Sequence, residues 1–592
     1  MTDKATPPKL GKLPLRELGY YNCPAIPFWA DANGEPDPTH VADTEKHLKE
    51  RGGEAAPAYA GLSTTYTIGG NKNITAYEFL YGSKLGTEPN PDSPLCHLPL
   101  DEAHQFTLPW TNYEDVYTES LDLRNAFSDT LKNSHRDLAT HSFWPTIAYF
   151  GIPYNLLLLS KITAKRAAEL KAEFGGVWTA EGMDAKVAAG LAYEIDTRVM
   201  EEVEAYTPTG GAARFVPGCI ALLVQDAQTK ALTPTAIKLF TTGATDETRV
   251  YAKGSAAWIY ALQAAKTSIT VWGIWLGHVF HWHIPTAAMQ MTMYNELPAD
   301  HPLWNLLAPQ SDWLIDFDYV LLQAPGVFDQ ISPPTPVAGP MPLLALLDRY
   351  AADRDFFDLD PLRELKNQGL DGKDFKLKTD WDAYPVAGYL VDIWKICQGF
   401  VKVVVNELYR SDAAVANDPG LQAWIDASKD PTNGNVKLPD ITTRSLLAEL
   451  LTSLLYRVTA HGAGSLSSAV NPTLAFMSNF PPCLQSKDMP QPDVELSDAD
   501  LLKRMPYTGT MGTMATFYFT FAYSEPYVPA IPTGGDNLDP YWPDPGTPAD
   551  DACNAALFTY RANIRSFVKN YANKWNEELA RIAGVTTGPV PS

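Results

Sequence analysis

Positive charge is in short supply in this chain. Lysine and arginine number 46 against 69 aspartates and glutamates, a formal charge of −23 over 592 residues. That balance disfavours nucleic acid as a partner and electrostatic attachment to anionic membranes. An apolar ligand is not repelled by it, but a ligand with a carboxylate needs a local cation. Cysteine is scarce as well. The six (Cys23, Cys96, Cys219, Cys397, Cys483, Cys553) are scattered and form no CxxC pair, which argues against a zinc ribbon or a dense disulfide framework. No run of about eighteen apolar residues offers a bilayer span. The opening MTDKATPPKLGKLPLREL has no apolar core of the kind a signal peptide needs. A soluble, cytoplasmic protein is the expectation.

What is present is an ordinary globular balance, 45% hydrophobic and 19% charged. The length allows several domains or one large single-core enzyme. Residues 1–110 are rich in Pro, Gly, Asn and Thr and read as a loop-rich wrap. Helical patterning begins near Tyr113. The apolar piece HSFWPTIAYFGIPYNLLLLSKI, which contains Trp144, is buried or lines an apolar cavity. Lys161, Lys165 and Arg166 close it, cations whose simplest role is to face a helix dipole. The alternative is that they anchor a carboxylate at a channel mouth. CIALLVQD, a turn at Ala227–Lys230 and LTPTAIKLF form a β-hairpin. Residues 255–297 are helical, and 311–345 are connectors. Tyr384 to Ala427 reads as an amphipathic helix pair with a turn at Asp418-Pro419-Gly420. Further helices cover Leu446 to Ser465 and Asn554 to Ile582.

Histidine is rare, at 11 residues, yet His278, His281 and His283 fall together in the aromatic run WGIWLGHVFHWHIP. An imidazole is costly to bury there without a partner. Coordination of a metal by neutral imidazole resolves the cost; so does an ordinary core hydrogen bond. His278 and His281 share a face of a regular α-helix. His278 and His283 stand roughly 140° apart in one, and a local π-turn would reunite them. Spacing alone favours the first pair.

His278-x4-His283, followed by His301-Pro302 and Leu306-Leu307-Ala308-Pro309, resembles the lipoxygenase signature, without a gap from His278 to Pro309. Two more blocks are similar to that family: Tyr384 to Trp424, and LLAELLTSLLYRVTAHGAGS ending at Ser465. The resemblance implies a mainly α fold, a single catalytic domain over 1–592 (the wrap 1–110 and a helical core 111–592) around a long metal-bearing core helix, with a small β subdomain. It implies no separate PLAT β-sandwich ahead of it, as in a compact microbial or fungal form. It implies one non-haem iron, with manganese as the other suitable metal, since zinc cannot cycle redox states. The ligands would be His278, His283 and His461, with Ser465 in the place of a family asparagine and the carboxylate of Ser592 as the terminal donor. His281 becomes a residue that supports the ligands or only packs. The implied reaction is hydrogen abstraction from a bis-allylic carbon of a polyunsaturated fatty acid and addition of O2, giving a hydroperoxide, in a monomer.

The resemblance frays at Gly273 (a family histidine), at Ile274 and Ser468 (family glutamines), and at Ala287 (a family glutamate). Leu321 falls where the family has the small residue linked to stereochemistry. With Ile274, Leu321, Trp144, Lys165 and Arg166 as the substrate-channel set, these departures leave three functions open. They are a fatty-acid dioxygenase, a non-haem oxygenase or hydroperoxide-rearranging enzyme with another apolar substrate, and a catalytically weak lipid-binding relative.

Overall fold

The computed structural model describes chiefly residues 158–203, 215–227, 232–241, 247–273, 281–308, 355–370, 385–469, 483–497 and 548–583, with short strands in 10–29 and 65–75 and at 586–587. Short strands pair as β1 (Leu10–Leu13) with β2 (Ile26–Trp29), and as β3 (Thr65–Ile68) with β4 (Lys72–Thr75). The stretch expected to be irregular therefore carries two antiparallel ribbons.

An antiparallel five-stranded sheet runs in sequence order through β5 (Leu159–Lys161), β6 (Ala192–Asp196), β7 (Gly218–Gln225), β8 (Leu232–Thr241) and β9 (Glu247–Ala252). The expected hairpin is its β7–β8 pair, with Leu222 opposite Ala236. Its apolar runs are nearly continuous rather than alternating because both faces are covered. Ile220, Leu222, Ala236 and Phe240 pack under helix α1 (Ala164–Phe174) with Leu170, Phe174 and Trp178. Helix α2 (Trp258–Trp272) packs against β7 and β8 and hydrogen-bonds the residue that follows β6, Ser268 Oγ lying 2.8 Å from Thr197 Oγ1.

Two expectations fail near β5. The apolar piece read as helical to Arg166 is a strand at Leu159–Lys161, and the helix starts afresh at Ala164 behind a Thr163 cap. Lys165 and Arg166 therefore stand in a first turn, where the helix dipole disfavours cations. Carboxylates compensate Arg166: Glu194 at 2.9 Å, Asp196 at 2.8 Å and Glu169 at 2.9 Å. The hydrogen bonds with Glu194 hold the guanidinium firmly protonated. Lys165 is exposed.

The remaining long helices are α3 (Ile284–Glu296), α4 (Pro385–Leu408), α5 (Pro419–Lys429), α6 (Arg444–Ala469) and α7 (Pro548–Ala583). α4 lies between α6 and α7. Trp394 meets Tyr456 edge-on at 5.3 Å, and Phe400 stacks on Tyr560 at 5.1 Å. α5 packs on α3, and the β1–β2 ribbon covers α3 as well. No described helix is long and apolar enough to cross a membrane.

Candidate metal centre

The helix does not close at Trp272. Gly273, Leu276, Gly277, His281 and His283 have π-helical conformation, and α3 follows directly. Side-chain geometry shows the same underwinding. The rings of Trp272 and His281 lie 6.2 Å apart, edge-on at 78°. Nine residues at 100° each would put them on opposite sides of an α-helix. At ~4.4 residues per turn, the winding of i→i+5 bonding, they share a side. That winding also brings positions five apart near one face, the spacing of 278 and 283. His283 is buried, 4% exposed, and so is His281, at 5%.

A second helix reaches this turn through Arg457 of α6. The Arg457 Nη1 donates to the His281 carbonyl at 2.7 Å, and Nη2 donates to the Phe356 carbonyl. The guanidinium carbon lies 3.9 Å from the centroid of the Phe356 ring. Burial pulls its pKa down to about 10, with the Asp360 carboxyl opposing. Burial likewise pushes Asp360 up to about 8, against a hydrogen bond from Ser453 Oγ and the charge of Arg457.

The histidine-proline segment is pinned to α5. Leu303 N donates to His301 Nδ1 at 3.1 Å, so Nδ1 is the acceptor and the proton resides on Nε2. The Nε2–H then donates to Asp418 at 3.0 Å. Tyr409 OH donates to the same carboxylate at 2.7 Å, and its other oxygen accepts from Leu421 N, capping α5. Gly420 is glycine because a Cβ there would lie 3.0 Å from Pro298 and 3.2 Å from His301. Trp424 completes the junction, its Nε1 donating to the Met289 carbonyl of α3 at 2.9 Å.

Of the sequence-derived site residues, His283 is described in full. His461 and Ser465 lie on α6, four residues apart; only their backbone is described. His278, Ile274, Leu321, Trp144 and Ser592 lie outside the described residues. The chain leading to Ser592 is last described at β10 (Thr586–Thr587), paired with β3. Ala287, where the resemblance has a glutamate, is buried on α3. Arg457 was missed by sequence reading, which singled out only His461 and Ser465 in the helix Leu446 to Ser465.

Among the described residues no group of three or more His, Cys, Asp or Glu side chains is placed to hold a metal ion. The donor chemistry suits iron nonetheless. His283 is a buried imidazole on a π-turn, and the helix carrying His461 is bonded to that same turn. Imidazole with oxygen donors is a set that suits redox-active iron.

The family profile described as Lipoxygenase matches residues 218–520, slightly more than half of the chain, and the chain belongs to that family. Among curated proteins it is 23% identical over 314 residues to the polyunsaturated fatty acid lipoxygenase ALOX15B of Rattus norvegicus, covering 51% of this chain and 44% of that protein. It is 26% identical over 221 residues to the chloroplastic lipoxygenase 1 of Tanacetum cinerariifolium, covering 35% of this chain and 24% of that protein. The chain thus spans less than half the length of both relatives. A solved calcium-dependent 11R-lipoxygenase superposes with a TM-score of 0.58 at 16% identity, over 89% of this chain and 77% of the other, and shares the fold.

Proposed function

We propose that this chain is a non-haem iron dioxygenase that adds O2 to a polyunsaturated fatty acid of the linoleate or arachidonate type, giving a hydroperoxide. One observation carries the reading: a π-helical turn bearing a buried histidine is tied, through Arg457, to the helix that bears His461. It lies within the segment matched by the family profile. His278, His283 and His461 would hold the iron, with Ser465 and the Ser592 carboxylate as oxygen donors; manganese suits the same set.

Iron bound there supplies one-electron chemistry, able to take a hydrogen atom from a bis-allylic carbon so that O2 adds to the resulting radical. The chain's own part is enclosure and placement. Trp272, Leu276, Ala287 and Ala288, in or beside the histidine turn in sequence, are themselves buried, and such enclosure would keep water from the site. Ile274, Leu321 and Trp144 would line the substrate's path. For the fatty-acid carboxylate, Lys165 is the stronger candidate of the two cations, since Arg166 is already met by three carboxylates.

A second reading, a non-haem oxygenase or hydroperoxide-rearranging enzyme with another apolar substrate, draws on Ala287. A buried methyl there removes a carboxylate that would tune the histidine turn. Oxygen uptake on linoleic and arachidonic acids by the iron-loaded protein, with chromatography of the products, separates the two. Uptake with a conjugated-diene hydroperoxide is the expected result. Tightly bound iron without uptake on either acid sinks the dioxygenase reading in favour of the second. A chain that binds no metal tightly is a lipid-binding relative and sinks both.

A further inference from the structure

We propose that Arg457 is a positioning residue for the candidate metal centre, fixing the separation between the π-turn of His281 and His283 and the helix that carries His461. This rests on the metal-site reading above and adds a residue to it.

A buried cation needs a reason. Arg457 is 3% exposed and directly follows the buried residues Leu454, Leu455 and Tyr456 on its helix. A hydrocarbon of similar size would pack there without the cost of desolvating a charge. What the guanidinium does instead is specific. One nitrogen holds the carbonyl of His281, another holds the carbonyl of Phe356, and its plane lies against the Phe356 ring. A π-turn departs from the regular helical hydrogen-bond ladder, so a partner from another element that holds one of its carbonyls helps to fix its winding. Arg457 is such a partner for the carbonyl at 281, two residues before His283 and three after His278. On its own helix it stands four residues, about one turn, before His461. One planar group therefore ties the backbone of the π-turn to the helix that bears His461. Phe356, held in the turn Phe356–Leu359, fixes the guanidinium in its turn.

The role predicts an effect on metal affinity and ligand field beyond any effect on folding. Cobalt(II) is the probe, titrated against a competing chelator into the metal-free full chain, with the absorption spectrum recorded at each step. Arg457→Met, with its fold checked by circular dichroism, is expected to bind cobalt about 10- to 100-fold more weakly, the range for residues that orient metal ligands. Its spectrum should shift. Arg457→Lys keeps the charge but lacks the planar two-carbonyl grip, so it should recover affinity only in part. Should the methionine variant fail to fold, the lysine variant decides by its own affinity and spectrum. Wild-type affinity with an unchanged spectrum in the folded variants overturns the positioning role, provided His283→Ala abolishes binding. If His283→Ala binds cobalt as the wild type does, the metal-site reading itself has failed, and the role of Arg457 with it.

Discussion

Asp418 holds three donors at once: the imidazole of His301, the hydroxyl of Tyr409 and the main-chain N–H of Leu421. Burial alone would raise its pKa, but these hydrogen bonds outweigh burial and hold the carboxyl below the usual aspartate range. The same contact, with burial as the larger cause, raises Tyr409. A carboxyl with a depressed folded pKa contributes stability that is complete above its unfolded value, near 4, and is lost as pH falls through the lower folded value. Urea midpoints of the wild type and Asp418→Asn between about pH 2 and 7 check this. The difference between them should be largest at neutral pH and shrink on acidification below about pH 4. A difference independent of pH would mean that the carboxylate's charge plays no part in the junction. At this scale the sequence was informative where a residue type has one strong local use. Asp-Pro-Gly announced a turn, and the aspartate is the α5 cap. Arg457 was opaque because its partner lies 176 residues away and no periodicity points to it.

At the scale of elements, the junction of α3 and α5 rests on few polar contacts within a packed interface. Trp424 donates to the Met289 carbonyl, and Thr292 Oγ lies 2.7 Å from Ser428 Oγ. Trp424→Phe keeps an aromatic ring but loses the indole N–H bond to that carbonyl, which retains only the Thr292 hydroxyl at 3.1 Å among its side-chain donors, and the smaller ring leaves part of the space unfilled. A loss of about 1–3 kcal/mol in unfolding free energy is expected, read by urea denaturation. A loss near zero would show that the indole serves only to fill volume. The β7–β8 hairpin, the Tyr384–Ala427 helix pair and α6 were readable because apolar runs and turn residues mark their ends. The strand at Leu159–Lys161 was not. A short apolar run does not distinguish strand from buried helix, and its partner β6 lies more than thirty residues downstream. The π-turn was legible only through the family pattern, since spacing alone favoured His278 with His281.

For the whole molecule, the segments that resemble the family are far apart in sequence and adjacent in the fold. The 283–308 stretch meets 409–428 through His301 and Trp424, and the π-turn just before it meets α6 through the bond of Arg457 to the His281 carbonyl. That convergence ties the π-turn that carries His283 to the helix that bears His461, the arrangement on which the proposed iron site rests. The most direct measurement is iron per chain in purified His283→Ala and His281→Ala beside the wild type. The account predicts about one iron in the wild type and in His281→Ala, and none in His283→Ala. Equal retention of iron in both variants would contradict it.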